Sequence, residues 1–237
     1  MPLLLRLGMH AYNATWKLLR PTYKPEPASV ELKEIADRTA VYKKDICDHL
    51  STIFAEATAL QPHLMVELGV RDGSSRFSLE RAAKISDSYL VSIDVCDYRE
   101  FCNLSDRWHF VQQDDIEFAA AFPIWCRNLG IEPVIDILFV DTSHHYDHTS
   151  REIEAWFPFL AQRCKVMFHD TNSKRIYRRS DGTAGGAWNN HRGVIGPIED
   201  YLGAKFNERI DFVIAVNGWI VRHWAHCNGL IVMERYR

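Results

Sequence analysis

Apolar runs and stretches of helical periodicity alternate along most of the chain. Runs rich in apolar residues and bounded by polar or turn-forming residues are typical of strands covered on both faces of a sheet. They predict parallel strands at 64–70, 89–95, 108–114, 135–141 and 164–170. Apolar residues at helical spacing predict helices at 30–58, 74–84, 115–128 and 151–160. This alternation is typical of βαβ units and indicates an α/β domain with a doubly wound, mostly parallel sheet.

The C-terminal pattern differs from the rest of the chain. Strands are predicted at 212–217 and 229–235, and the aromatic stretch between them is too short for a helix of ordinary length. A connection without a helix favours an antiparallel pair. We therefore expect a C-terminal antiparallel hairpin to close the sheet.

Residues 1–29 are predicted to be an arm that precedes a domain at 30–237. An amphipathic pattern favours a short helix at its start, and three prolines then indicate an extended linker. We expect the helix to pack on its own domain or on a second copy of the chain, in a homo-oligomer; contact with a membrane surface is the alternative. The irregular segment 171–193 is rich in Gly, Asn, Ser and basic residues, and its length is typical of a lid.

Composition narrows the functional classes. With 47% hydrophobic and 25% charged residues over 237 positions, the chain has the composition of a globular domain. A formal charge of −3 argues against a nucleic-acid partner. The six cysteines form no CxxC pair, and no apolar run is long enough for a membrane span or a signal peptide. We therefore expect a cytoplasmic protein with reduced thiols.

A glycine-containing loop follows the first predicted strand. Glu67, Gly69 and Gly73 precede Ser74, at the start of a helix. Glycines let a backbone approach a ligand, and the start of a helix offers free N–H groups. Arg71 stands where a dinucleotide-binding loop needs its second glycine, which counts against a pyrophosphate. The carboxylate of Glu67 would also repel a pyrophosphate but would suit the ammonium group of an amino-acid ligand.

An aspartate lies at the end of four predicted strands. These residues are Asp94, Asp114, Asp141 and Asp170. The carboxyl ends of strands line the ligand crevice of an open α/β sheet. Asp94 can bind ribose hydroxyls there, and Asp114 can accept a hydrogen bond from an adenine amino group. With the glycine loop, these acids predict a nucleoside-type ligand.

These motifs resemble those of class I S-adenosylmethionine-dependent methyltransferases over about residues 60–237. Glu67-x-Gly69-x-x-x-Gly73 is similar to their first motif, and Asp94 to their ribose-binding acid. The segment FVDTSHHYDHTSREIEAWFPFL, followed by VMFHDT, resembles a subgroup that includes the cephalosporin hydroxylase-like proteins and the macrolide and rhamnosyl sugar O-methyltransferases. Thr142 replaces the glycine of the Asp-Gly-x-His-x-Tyr motif of that subgroup. The resemblance implies a Rossmann-like fold with a seven-stranded sheet.

The resemblance also implies a reaction. A methyl group would pass from S-adenosylmethionine to a hydroxyl of a small molecule, such as a sugar or a phenolic natural product. Asp141 and Asp170 would bind a divalent metal, Mg²⁺ or Mn²⁺, with His169 standing where members often carry a second acid. His144 matches the motif histidine and is the candidate general base beside Asp141, with His145 as its competitor. The basic and aromatic residues of 171–193 favour an acceptor with an anionic group.

Two alternatives remain open. An NAD-dependent oxidoreductase would share the fold, although Glu67 and Arg71 count against it. A non-catalytic Rossmann-like scaffold is the other alternative, and a scaffold would need none of the acids Glu67, Asp94, Asp141 and Asp170.

Overall fold

The computed structural model describes residues 3–19, 29–101 and 105–236. Its helices are α1 (Leu3–Leu19), α2 (Val30–Val41), α3 (Leu50–Leu60), α4 (Ser74–Ser86), α5 (Asp115–Asn128), α6 (Tyr146–Trp156) and α7 (Ile195–Leu202). Its strands are β1 (Leu64–Leu68), β2 (Tyr89–Asp94), β3 (Trp108–Gln112), β4 (Ile135–Val140), β5 (Leu160–His169), β6 (Ile176–Arg178), β7 (Ala184–Gly186), β8 (Phe212–Val216), β9 (Trp219–Trp224) and β10 (Leu230–Arg235). The order confirms an α/β domain of Rossmann-like type.

The main sheet has the strand order β3-β2-β1-β4-β5-β10-β9-β8. Strands β1 to β5 are parallel, and β8 to β10 join them in antiparallel pairs. The chain reverses its direction of winding between β1 and β4, which are neighbours in the sheet although β2 and β3 separate them in sequence. Ligands bind at such a switch point in open α/β sheets.

Each face of the sheet has its own hydrophobic core. On one face, Phe122 and Trp156 of α5 and α6 pack against Val66 and Val140. On the other face, residues of α2, α3 and α4 pack against Met65 and other strand residues. Successive β1 residues point to opposite faces, so a strand buried on both sides is apolar at nearly every position. This is why the sequence pattern locates the parallel strands.

The sheet has eight strands in the described residues, so the expected count of seven is wrong. The aromatic stretch after β8 is itself a strand, β9, and it lies between the two strands that were expected to pair with each other. Asn217 and Gly218 make the tight turn into β9, and both have positive φ, of 46° and 86°. An Asn-Gly turn of this kind is a hairpin signal. The antiparallel C-terminal addition itself is confirmed.

Three further boundaries differ from those predicted. The helix expected at 30–58 is two helices, because the chain becomes extended at Tyr42 and passes through a short 3₁₀ segment before α3. The helix expected at 151–160 begins at Tyr146 and ends at Trp156. Strand β5 begins at Leu160 rather than at 164.

Helix α1 packs on the hairpin formed by β6 and β7. The Asn13 side chain donates to the Ala184 carbonyl (2.9 Å) and accepts from its N–H (2.6 Å), and the Tyr12 hydroxyl donates to the Gly182 carbonyl (3.0 Å). The predicted proline-rich linker, at 21–27, lies outside the described residues. No helix within the described ranges is both long and apolar enough to cross a bilayer. A homo-oligomer stays a prediction.

Candidate active site

A cleft of about 420 Å³ opens at the carboxyl ends of the parallel strands, beside the switch point. This volume falls in the range of small-molecule binding sites. Its lining includes the loop after β1, Asp94 after β2, Asp114 after β3 and the segments that follow β4 and β5. The predicted convergence of strand ends on one crevice is therefore present in the structure.

The loop after β1 packs tightly against the loop after β4. Gly69 has a φ of +85°, and a Cβ atom built on it would lie 2.2 Å from the carbonyl oxygen of Asp141. The Asp141 N–H in turn donates to the Leu68 carbonyl at 2.9 Å. A residue with a side chain would both strain this backbone and push the two loops apart. Gly69 therefore sets the distance between the two ends of the cleft.

Asp94 organises the glycine loop from the end of β2. Its Oδ2 accepts from the backbone N–H groups of Val70 (2.8 Å) and Arg71 (3.2 Å), and its Oδ1 accepts from that of Cys96 (2.9 Å). The carboxylate also lines the cleft. A carboxylate has about four lone-pair positions, so one is left for a ligand hydroxyl.

Glu67 is buried behind the loop and does not line the cleft. Its Oε1 accepts from the Ser75 hydroxyl (2.7 Å) and its Oε2 from the Ser92 hydroxyl (2.6 Å). Burial raises the pKa of Glu67 to about 7. The carboxylate thus joins β1, β2 and α4 beneath the loop, rather than facing the cleft as the sequence suggested.

Ser74 and Asp114 both line the cleft and both also support local structure. The Ser74 hydroxyl donates to Asp72 (2.7 Å), which forms an ion pair with Lys44. Asp114 caps α5 by accepting from the Glu117 N–H at 3.0 Å. Gly73 precedes α4 as its N-cap residue and is not among the lining residues.

The other end of the cleft holds a histidine between two carboxylates. His144 Nε2 lies 2.9 Å from Asp141 Oδ1 and 3.2 Å from Asp170 Oδ2. Burial acts to lower the pKa of His144. The hydrogen bond to Asp141 and the charges of Asp141 and Asp170 outweigh burial and raise that pKa. Burial acts to raise the pKa of Asp141. The charges of His169 and His144 and their hydrogen bonds with Asp141 outweigh burial and hold that pKa well below its usual range. The ring and the two acids therefore form one charged cluster.

His169 lies beneath this cluster with only 2% of its surface exposed. Its Nδ1 lies 3.2 Å from Asp141 Oδ1, and its Nε2 lies 3.3 Å from the Cys227 carbonyl. Both partners are acceptors, so both ring nitrogens carry protons in this arrangement. The charges of Asp170 and Asp141 outweigh burial and raise the pKa of His169 to about 10. His169 therefore adds a positive charge between the two acids.

Residues 66–171 match the Methyltransf_24 family, which is described as a methyltransferase domain. The matched range runs from β1 to the residue after Asp170, and so it contains both ends of the cleft. The chain carries a methyltransferase domain.

Solved methyltransferases share the fold of this methyltransferase domain and its flanking elements. An O-methyltransferase from Bacillus cereus, solved with SAH, is 12% identical, with 96% of this chain and 99% of that chain covered and a TM-score of 0.57. MycE from the mycinamycin biosynthetic pathway, solved with Mg, SAH and mycinamycin VI, is 16% identical over 89% of this chain and 55% of its own, with a TM-score of 0.55. CalS11, a TDP-rhamnose 3'-O-methyltransferase of calicheamicin biosynthesis, is 14% identical over 97% and 94%, with a TM-score of 0.53. At such identities the likeness is one of fold.

A curated relative is also similar in sequence to part of the chain. The uncharacterized protein y4gI of Sinorhizobium fredii (strain NBRC 101917 / NGR234) is 28% identical over 124 residues, which are 48% of this chain. The chain spans 14% of the length of that relative.

His145 lies outside the charged cluster of the methyltransferase domain. It is exposed and precedes α6, and its ring centroid is 6.0 Å from that of Trp188. The ring centroid of Trp188 also lies 5.9 Å from that of His144, so the segment 171–193 reaches the rim of the site. The structure thus brings His144, Asp141 and Asp170 together and leaves His145 at the edge.

Several residues that line the cleft were not predicted from the sequence. Lys44, Asp45 and Ile46 line the cleft where the predicted helix at 30–58 is interrupted, at the start of the 3₁₀ segment Ile46–His49. Asp45 caps that segment by accepting from the Ile46 N–H at 3.0 Å. An aspartate at this position is a helix-start signal and could have located the break.

Proposed function

We propose that this protein is an S-adenosylmethionine-dependent O-methyltransferase that acts on a hydroxyl of a small molecule, in the class of sugar or phenolic natural products. The observation that carries the proposal is the pairing of two features in one cleft of a methyltransferase domain. At one end, Asp94 orders the glycine loop; at the other, Asp141 and Asp170 hold the ring of His144. The domain match favours this function over an NAD-dependent oxidoreductase or a scaffold.

The cofactor end is formed by Gly69, Ser74, Asp94 and Asp114. Asp94 binds the ribose hydroxyls with its remaining lone pair, and Asp114 meets the adenine. Glu67 and Gly73 act from behind, by fixing the shape of the loop and the start of α4. S-adenosylmethionine supplies an electrophilic methyl group when it is bound here.

His144 removes the proton of the acceptor hydroxyl. Its Nε2–H donates to Asp141, which holds the ring and leaves Nδ1 as the nitrogen that can accept a proton. Asp141 and Asp170 stabilise the imidazolium that forms, as carboxylates beside a catalytic histidine do. Proton removal by a positioned base contributes about 10²–10⁴-fold to a rate.

The residues present also fit the divalent metal that the resemblance implies. Oxygens of Asp141 and Asp170 and a nitrogen of His144 lie within 4.8 Å of one another, and Oδ1 of the buried Asp170 has no hydrogen-bond partner in the described residues. His169, and His144 at its Nε2, would each have to lose a proton before acting as a ligand. A bound Mg²⁺ or Mn²⁺ would lower the pKa of a coordinated hydroxyl. The mixed oxygen and nitrogen set favours Mn²⁺ over Mg²⁺.

Two of the five Lys and Arg residues of 171–193 support an anionic acceptor. Arg179 is buried against Tyr177 and donates to the Lys44 carbonyl (3.0 Å), so it stabilises the segment itself. Arg175 and Arg178 are exposed, and these are the two that we propose for contact with an acceptor phosphate or carboxylate.

Cofactor binding is tested by titrating S-adenosylhomocysteine into wild-type protein and Asp94→Ala in a calorimeter. We expect the substitution to weaken binding by about 1.5–3 kcal/mol, the value of a hydrogen bond to a charged group. Circular dichroism checks that the variant is folded. Equal affinities in two folded proteins would remove the cofactor from this end of the cleft.

Acceptor activation is tested with His144→Ala and with His145→Ala as the matched control. Methyl transfer is measured by mass spectrometry on a panel of phenols and nucleotide sugars. We expect His144→Ala to lose about 10²–10⁴-fold in kcat, while His145→Ala stays near wild type. Equal activity of the two variants would contradict the role of His144.

A further inference from the structure

A second group of ligand-type side chains lies in the wall of the cleft, outside the cluster at Asp141. Asp115 begins α5, and His148 and Glu152 lie one turn apart on α6. His148 Nε2 is 3.3 Å from Asp115 Oδ1 and 3.5 Å from Glu152 Oε1. The side chains of Asp115 and Glu152 are 8% and 1% exposed, and that of His148 is 22% exposed. Two buried carboxylates therefore face one imidazole nitrogen.

These ion pairs are longer than charged hydrogen bonds usually are. A protonated histidine between carboxylates makes hydrogen bonds of about 2.7–2.9 Å. In addition, Oδ2 of Asp115 and Oε2 of Glu152 are buried and have no hydrogen-bond partner in the described residues. Burying a carboxylate oxygen without a partner costs free energy, so a cation that binds these two oxygens would stabilise both acids.

The distances of 3.3 Å and 3.5 Å from His148 Nε2 to the two carboxylate oxygens are close to those between ligands of a tetrahedral ion, and the three candidate ligand atoms all lie within 4.8 Å of one another. Zinc bonds of about 2.0–2.1 Å, at tetrahedral angles, place neighbouring ligand atoms about 3.3–3.4 Å apart. Adjacent ligands of an octahedral Mg²⁺ would be about 2.9–3.0 Å apart. We propose that Asp115, His148 and Glu152 are the three protein ligands of a zinc-type transition-metal ion in the wall of the cleft.

The surroundings of these three residues fit such a site. The Thr142 hydroxyl donates to Glu152 Oε1 at 2.5 Å and so holds the carboxylate in place, as second-sphere partners of metal ligands do. Asp115, Thr142 and His148 all line the cleft, which gives an ion a route from solvent and leaves its fourth position for water or a ligand. Two carboxylates and the imidazole of His148, once the ion has displaced its Nε2 proton, balance a charge of +2. The ion would clamp α5 to α6, and the inference does not depend on the proposed reaction.

The proposal is tested by calorimetric titration of zinc chloride in a buffer with excess Mg²⁺. All proteins carry Cys96→Ser, because the exposed Cys96 also lines the cleft and could bind zinc. We expect one tight equivalent in the parent and in Asp141→Asn, since Asp141 belongs to the other cluster. Glu152→Gln keeps the shape of the side chain and is expected to bind zinc at least tenfold more weakly.

A second measurement tests the proposal even if Glu152→Gln does not fold. Co²⁺ added to the parent should give the strong visible absorption of a tetrahedral site, and His148→Ala should lose that absorption. A parent that binds no zinc equivalent would overturn the proposal. So would zinc binding that is lost in Asp141→Asn and kept in Glu152→Gln or His148→Ala, because the ion would then lie at the other cluster.

Discussion

Glu67 shows how a residue picked out by a sequence motif can take an unexpected position in the fold. The sequence places an acid before the glycine loop, and the structure turns that acid away from the cleft toward Ser75 and Ser92. Successive strand residues alternate between faces, but sequence alone cannot tell which hydroxyls will meet a buried side chain from neighbouring elements. The position of Glu67 follows from tertiary packing, which no local pattern encodes.

The raised pKa of Glu67 predicts a pH dependence of stability. Between the ordinary value of 4.5 and about 7, the folded protein keeps a proton on Glu67 that the unfolded chain releases. The free energy of unfolding therefore falls as pH rises, by at most about 1.4 kcal/mol per pH unit from this group. Glu67→Gln should lose that part of the dependence and gain stability relative to wild type toward about pH 8.

Urea denaturation of wild type and Glu67→Gln, followed by tryptophan fluorescence from about pH 5 to pH 8, measures the difference. Glu132→Gln is the control, because Glu132 is exposed. Parallel stability profiles for wild type and Glu67→Gln would contradict the protonated state of Glu67 in the folded protein.

His144 and Asp170 carry a backbone cost that the sequence does not reveal. Both have a φ of +59°, in the left-handed region that residues with side chains rarely adopt. Such conformations cost about 1–3 kcal/mol each and cluster at functional sites. The strained backbone directs both side chains to one point, and it is visible only once the strands fix the ends of both loops.

At the scale of elements, the accuracy of the sequence predictions follows the completeness of burial. Helix α5 has the predicted bounds because Asp114 caps its start, and the parallel strands β1, β2 and β4 agree within two residues because nearly all of their positions are buried. Strand β9 was missed because it alternates buried and half-buried residues of aromatic and charged type. The Asn217-Gly218 pair was the local signal that could have revealed it.

The segment 171–193 contains a hairpin that helix α1 holds in place. Asn13 makes two hydrogen bonds with the backbone of Ala184. Removing them in Asn13→Ala should cost about 1–2 kcal/mol and so raise the population of the open hairpin about five- to thirtyfold. Trypsin cleavage at the exposed Arg175 and Arg178 should accelerate by the same factor, since cleavage follows the open population.

Thr15→Ala is the matched control, because the Thr15 hydroxyl bonds only within α1, to the Ala11 carbonyl, in the described contacts. Gel electrophoresis of timed digests gives the rates. Identical rates for Asn13→Ala and Thr15→Ala would mean that α1 does not restrain the hairpin. Mobility of the segment, and its ordering over an acceptor, stay predictions.

At the scale of the whole molecule, the site draws on both halves of the sheet. The convergence of Asp94, Asp141 and Asp170 could be predicted, because the carboxyl ends of parallel strands always share an edge. The contact between His169 and the Cys227 carbonyl could not be predicted, because that contact depends on the antiparallel register that pairs His169 with Leu230. Pairings of such long sequence separation leave no trace in local patterns.

The interior position of β10 has a consequence for how the protein is made. Strand β10 lies between β5 and β9, so the hairpin of β8 and β9 has no place in the sheet until residues 230–235 leave the ribosome. Until then β5 presents an open, strongly apolar edge, which in a nascent chain invites pairing with other chains. The proton-bearing ring of His169 also lacks its Cys227 partner during that interval. Both the sheet and the floor of the cleft are therefore completed only once residues 230–235 have been translated, and the edge of β5 needs protection in the nascent chain until then.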